Sequence, residues 1–174
     1  MGVELSWAER DLRALDRLAG EIVVCSVFDD DRPPRGVAGL IDWRLGGRLS
    51  RLSLERFVDG SDGELLLLPG RPRVPFDKVV VLGLGAREGF DETRYERALD
   101  RVLLVLDQLQ VRRLTVELPG RHRGAIDAAR AVRSLAARVG QGGLAPRTHV
   151  EAITIVDDAD AQRALLELAR TRRR

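Results

Sequence analysis

The chain has 174 residues, 44% of them hydrophobic and 32% charged, which fits one domain with a sizeable core and is too apolar for disorder. Acids and bases nearly cancel to a formal net charge of +2, so nothing points to nucleic acid, and aromatics at 4% leave the core to Leu, Val and Ala. The charged start, "MGVELSWAERDLRALDRLAG", is neither a signal peptide nor a membrane span, and the single cysteine, Cys25, forms no disulfide within one chain, so the sequence reads as cytoplasmic.

In chain order, residues 6–19 place Trp7, Leu12, Leu15 and Leu18 at helical spacing, with Ser6 and Glu9 as a capping box and Gly20 as the stop. "EIVVCSVF" (21–28) is a continuous β-branched run and predicts a buried strand. "DDDRPPRG" (29–36) predicts a loop at its carboxyl end. Residues 37–57 return to helical spacing, with Gly46-Gly47 marking either a kink or two helices that meet. After a turn at 58–63 come a short strand (64–69), a connector (71–76) and the strongest strand signal in the chain, "KVVVLGLG" (78–85). A long helix follows at 92–110, then a strand at 113–119 and an Ala-rich helix at 124–140 that stops at Gly140. A loop (141–148), a strand (149–157) and a helix (158–170) capped by Asp158 or Asp160 close the chain, with a short basic tail at 171–174.

Strands alternate with mostly amphipathic helices, so residues 1–174 predict a single α/β domain, a mixed sheet with helices on both faces.

Several chemistries are missing. His122 and His149 lie in different elements and Cys25 stands alone, which leaves no Cys/His set for zinc. Acids cluster only at Asp29–Asp31 and at Asp157, Asp158 and Asp160, and acid runs in loops usually face solvent or cap helices. No Gly-x-Ser-x-Gly elbow and no phosphate-loop lysine occur. No residue receives a catalytic, metal or cofactor role, although an enzyme built on the Asp29–Asp31 loop stands as a third reading.

The glycine turn after the strong strand bears most directly on function. Gly83, Gly85 and Gly89 are spaced G-x-G-x-x-x-G, one residue longer than the dinucleotide fingerprint, and the next strand ends near Glu117, too far on to supply the acid that the fingerprint places about twenty residues later at a strand end. Two readings remain: the amides of Leu84 to Arg87 form an anion nest beside Arg87, or the glycines only let the chain pass tightly beneath a helix.

"VVVLGLGAREGFDETRYERAL" with "RRLTVELPG", preceded by "GRLSRLSLERFVDGSDGELLLLPG", resembles the N-terminal domain of the leucyl aminopeptidase family over roughly residues 20–140. The resemblance implies a three-layer, macrodomain-like fold. In that family the metals and the catalytic lysine and arginine belong to the C-terminal domain. Its motifs do not occur here, and Lys78, the only lysine, sits at a strand entrance. The Asn-rich strand-end motif of ADP-ribose-binding macrodomains is absent as well; "DDDRPPRG" stands in its place.

The leading expectation is therefore a free-standing, non-catalytic relative that acts as an interaction or assembly module, as a homo-oligomer or with a protein partner. The alternative is a small-ligand module that holds a phosphate or nucleotide at the strand carboxyl ends, with Arg35, Gly36, Gly83, Gly85 and Arg87 as the binding residues.

Overall fold

The computed structural model describes residues 3–140 and 149–171. The expected loop at 141–148 and the arginines of the expected basic tail lie outside the described residues. β2 (Gly20–Val27) shows how the layers arise. Side chains alternate across a strand, so Ile22 and Val24 enter one core while Val23, Cys25 and Val27 enter another. An unbroken apolar run is what a strand covered on both faces needs.

The sheet has six strands in the order β1 (Glu4–Glu9), β6 (Ala152–Asp157), β5 (Arg113–Val116), β2, β4 (Phe76–Gly83) and β3 (Leu65–Pro69). All neighbours run parallel except β3, which pairs antiparallel with β4 at the edge. One face carries α4 (Glu92–Gln108), α5 (Ala128–Val139) and α6 (Ala159–Thr171) over Ile22, Val24, Val80, Leu114 and Ile153. The other carries α1 (Leu12–Arg17), α2 (Gly36–Arg44) and α3 (Arg48–Leu54) over Val23, Cys25, Val79 and Val81. This is the expected three-layer α/β architecture with a mixed sheet. Among the described residues, no helix is long and apolar enough to cross a membrane.

The largest correction falls at the amino terminus. Residues 4–9 form a strand, not the start of a helix, and lie parallel to β6 with Ser6 opposite Thr154. The two side-chain oxygens of that pair are 3.0 Å apart. Leu5 and Trp7 pack toward one core and Ala8 toward the other, a period of two that the helical spacing of Trp7, Leu12, Leu15 and Leu18 obscured. The ladder partner lies near the other end of the chain, so pairing overrode a local pattern. Asp11, not Ser6, caps the short α1, accepting the Ala14 amide at 2.7 Å.

Smaller differences follow the caps. Gly47 takes φ +75°, which splits 37–57 into two helices. Asp127 caps α5 and delays its start, leaving a one-turn 3-10 helix at Arg121–Arg123. Asp158 caps α6, accepting from the amides of Asp160 and Ala161 at 3.0 and 3.2 Å.

The corner between α2 and α3 rests on buried Asp42, whose Oδ1 accepts the amides of Leu49 and Ser50 at 2.7 and 3.2 Å. These are the free amides of the first turn of α3, beyond Gly47, which offers no side chain to cap them. Asp42→Ala is expected to lower stability by about 1–2 kcal/mol, read as a drop in the urea midpoint at unchanged slope.

Candidate functional site: the carboxyl ends of the parallel strands

In an open parallel sheet the crevice beyond the strand carboxyl ends is where ligands bind. Four strands deliver polar side chains there: Arg10 after β1, Asp31 after β2, Glu117 after β5 and Asp157 at the end of β6. The turn after β5 adds Arg121, His122 and Arg123.

These groups fill the crevice with one another. Asp157, fully buried, accepts from Arg10 Nη2 at 2.7 Å and from Arg121 Nε at 2.9 Å. Arg121 also donates to Asp158 Oδ2 and to the Ile126 carbonyl, both at 2.8 Å. His122 Nε2 lies 2.6 Å from Asp31 Oδ2, which also accepts the Phe28 amide at 2.8 Å. Glu117 Oε1 accepts the Val37 amide at 3.2 Å, in the first turn of α2. It is 3.5 Å from Arg10 Nε, and Glu117 Oε2 is 3.8 Å from His122 Nδ1, beyond a hydrogen bond. Glu117 Oε2, His122 Nδ1, Asp31 Oδ1 and Arg10 Nε therefore lack a full partner although they are buried.

Burial pushes Glu117 up to about 8, against the smaller downward pulls of the Arg10 charge and the Val37 amide, with Asp157 and Asp31 adding to the rise. Burial works upward on Asp31 too, but there the hydrogen bonds from His122 and Phe28 and the nearby Arg123 prevail and hold it below the usual carboxylate range. Two carboxyl groups in one network thus settle in opposite directions, according to how many donors each meets. Cys25 is enclosed and burial pushes its thiol far up, so it packs as a small hydrophobe.

The residues named from sequence sit around this network. Gly36 has φ +58°, and a Cβ there would collide with His122 and the Glu117 carboxyl, so glycine lets α2 start directly over the buried acid. Arg35 is exposed at the N-cap position of α2, and its side chain makes no capping bond. At the glycine turn, the Leu84 amide donates to the Val27 carbonyl at 2.9 Å and the Gly85 amide to the Gly60 carbonyl at 2.8 Å. Two of the amides expected to form a nest are therefore spent within the fold. A Cβ at Gly83 would collide with the Ser61 carbonyl, and Gly85, at φ +72°, lies against Asp62. The 60–62 turn packs against both glycines, and beside Gly83 a cleft with an interior volume of about 40 Å³ remains between Asp62, Arg97 and Arg101. Arg87 is exposed, 3.5 Å from Asp30, which Arg123 also approaches at 3.3 Å.

A small cleft beside Asp31, between Phe28, Pro34 and Gly60, has an interior volume of 20 Å³. That admits about one water, whereas small-molecule pockets span roughly 300–1,000 Å³. Among the described residues, no group of three or more His, Cys, Asp or Glu is placed to hold a metal.

The acid run at Asp29–Asp31 divides. Asp29 and Asp30 face solvent as expected, but Asp31 is buried beneath His122. Glu117 and Arg121 were not singled out from sequence, Asp157 was read only as one of an acid cluster, and Arg10 was hidden by the helical reading of residues 6–19. The available signal was an acid inside an apolar run, Glu117 within "LTVELP".

The fold defines the class: a three-layer, macrodomain-like α/β domain. A Trypanosoma brucei macrodomain in complex with ADP aligns over 95% of this chain and 69% of its own at a TM-score of 0.72 and 13% identity. A mutant of tomato leucine aminopeptidase aligns over 95% of this chain and 35% of its own, at a TM-score of 0.60 and 16% identity. Residues 23–143 match the cytosol aminopeptidase family, N-terminal domain, and the chain belongs to that family. The probable cytosol aminopeptidase of Halorhodospira halophila is 33% identical over 86 residues, 49% of this chain and 17% of that protein. The Burkholderia multivorans counterpart is 27% identical over 121 residues, 68% of this chain and 24% of its own length. The chain thus spans less than a quarter of these relatives.

Two measurements check the site. An acid whose folded pKa lies above its unfolded value holds a proton in the folded state that the unfolded chain has already lost. Stability from Glu117 is therefore fully present near pH 4.5 and is lost as pH rises toward about 8. The expected slope reaches about 1.4 kcal/mol per pH unit, and Glu117→Gln should flatten it in denaturant titrations between those limits. Gly83→Ala should cost roughly 1–3 kcal/mol in the same assay, because the 60–62 turn must move. A neutral result would mean that the turn yields easily and that the space is open to a ligand.

Proposed function

We propose that this domain is a non-catalytic interaction or assembly module built on the aminopeptidase N-terminal fold. The observation that carries the reading is the filled strand-end crevice: the position a ligand anion would take at the start of α2 is held by the chain's own Glu117. What the surface offers instead is apolar side chains, among them Trp43, Leu54, Phe57, Leu65 and Leu67. The relatives with curated names are probable cytosol aminopeptidases, so a peptidase is one natural partner and a further copy of the chain another. The lone buried Cys25 suits the reducing cytoplasm.

A phosphate or nucleotide held near Arg35, Gly36, Gly83, Gly85 and Arg87 is the second reading. The macrodomain that carries ADP on the same fold favours it. The spent Leu84 and Gly85 amides count against it. Sedimentation and calorimetry separate the two. The module reading expects species heavier than the 19.3 kDa chain, or a complex with a purified partner, and no heat from ADP-ribose, ATP or inorganic phosphate. Binding heat from ADP-ribose that disappears in Arg87→Ala would replace it with the ligand reading.

A further inference from the structure

We infer that the β3 edge is a self-pairing surface: two copies of this chain join antiparallel along Leu65–Pro69, Leu65 of one copy opposite Leu67 of the other. This rests on the assembly reading above and gives it a surface and a partner, a second copy.

Three observations carry it. The first is the direction of the backbone. In the antiparallel ladder with β4, the Gly83 amide bonds to the Glu64 carbonyl and the Gly70 amide to the Asp77 carbonyl, which makes the even-numbered residues of β3 the hydrogen-bonded ones. Leu65 and Leu67 therefore point N–H and C=O away from the sheet. The second is side-chain exposure. Leu65 and Leu67 are 43% and 52% exposed, while Leu68 is buried. Natural edges of this kind are usually blunted by a charge or a bulge along the strand, and "LLLLP" has only its terminal proline. Pro69 lacks a donor, which confines complete pairing to Leu65 and Leu67 and sets the register. Each Leu65–Leu67 pair then exchanges two hydrogen bonds, four in all.

The third is charge, and it selects the occupant. Residues 59–64 carry Asp59, Asp62 and Glu64 with no base, and residues 70–73 carry Arg71 and Arg73 with no acid. Glu64 is partly satisfied by the amides of Asp59 and Gly60, Asp59 by Arg32 at 3.8 Å, and Arg71 by Asp77; Arg101 reaches the Gly63 carbonyl, while Asp62 makes no ion pair among the described residues. In an antiparallel pair the acidic flank of each copy lies beside the basic flank of the other, with Asp62 opposite Gly70 and next to Arg71. A parallel pair would set like charges together. A second copy supplies this complement by symmetry, through a closed two-fold contact. Five residues bury little area, so the dimer is transient.

The test combines sedimentation with amide exchange on the whole chain, from micromolar to about 1 mM. The inference expects a concentration-dependent dimer that weakens in high salt, with the Leu65 and Leu67 amides slowing as it forms. Leu67→Lys should weaken the dimer at least about tenfold. Leu67→Pro should do the same while keeping the β4 ladder, since it removes only an outward amide. Leu104→Lys, on the exposed side of α4, should leave it intact. A dimer indifferent to both Leu67 variants, with fast Leu65 and Leu67 amides, overturns the edge and leaves assembly through another surface standing. A strict monomer overturns the edge and leaves the module reading to a different protein partner. The exchange readout uses the unaltered chain, so it separates these outcomes even where a variant fails to fold.

Discussion

The burial of Glu117 beneath the first turn of α2 is the constraint around which the strand ends are arranged. A helix N-terminus attracts an anion, and a parallel sheet aims several such termini and loops at one crevice. Here the Glu117 carboxyl group, just beyond β5, takes that place. Burying it as a charge would be expensive, and the donors within reach are few: one amide at 3.2 Å and Arg10 Nε at 3.5 Å. Asp157, by contrast, meets two guanidinium groups at 2.7 and 2.9 Å. Burial therefore raises Glu117, whose donors are few and distant. The same arrangement dictates Gly36, because any side chain there would strike the acid or His122.

A second arrangement ties the glycine turn to the sheet edge. The Gly60 carbonyl accepts the Gly85 amide, and the Gly63 amide donates to the Gly83 carbonyl. Glu64 in turn gathers the amides of Asp59 and Gly60. The 60–64 segment thus packs against Gly83 and Gly85 and, in the same stroke, delivers β3 to β4 with its even-numbered residues bonded inward. Packing against the turn and exposing Leu65 and Leu67 at the edge are two results of one loop. A chain that opened the turn to admit a ligand would have to shift the start of β3 as well.

Much of the fold was legible because it is written in local patterns. The apolar runs at 21–28 and 78–85, the amphipathic helix at 92–110 and the glycine stops each carry their own signal. β1 was not legible, because Glu4–Glu9 is a half-exposed edge strand whose partner, Ala152–Asp157, lies far along the chain. Leu12, Leu15 and Leu18 beyond it completed a helical spacing, of which only Leu15 is buried within α1 and Leu18 is its C-cap. The site divides in the same way. Gly36 is needed where it stands for a reason the sequence did not contain, since the obstacle is Glu117. Asp31 looked like Asp29 and Asp30, and the Phe28 amide and His122 set it apart.

An acid inside an apolar strand end admits two meanings: it lines a site, or it plugs one. Sequence cannot separate them, because both place the carboxyl group at the mouth of the crevice. Glycine at the facing helix start helps decide. A residue that lines a site needs space in front of it, and here the space above Glu117 is the backbone of Gly36 and the amide of Val37. His122 and Arg10 close its sides, and Asp31 and Asp157 are engaged behind them. Glu117 is held as a plug. With the strand-end crevice occupied by the domain's own side chains, the β3 edge beside the glycine turn is where exposed Leu65 and Leu67 stand next to outward-facing backbone groups.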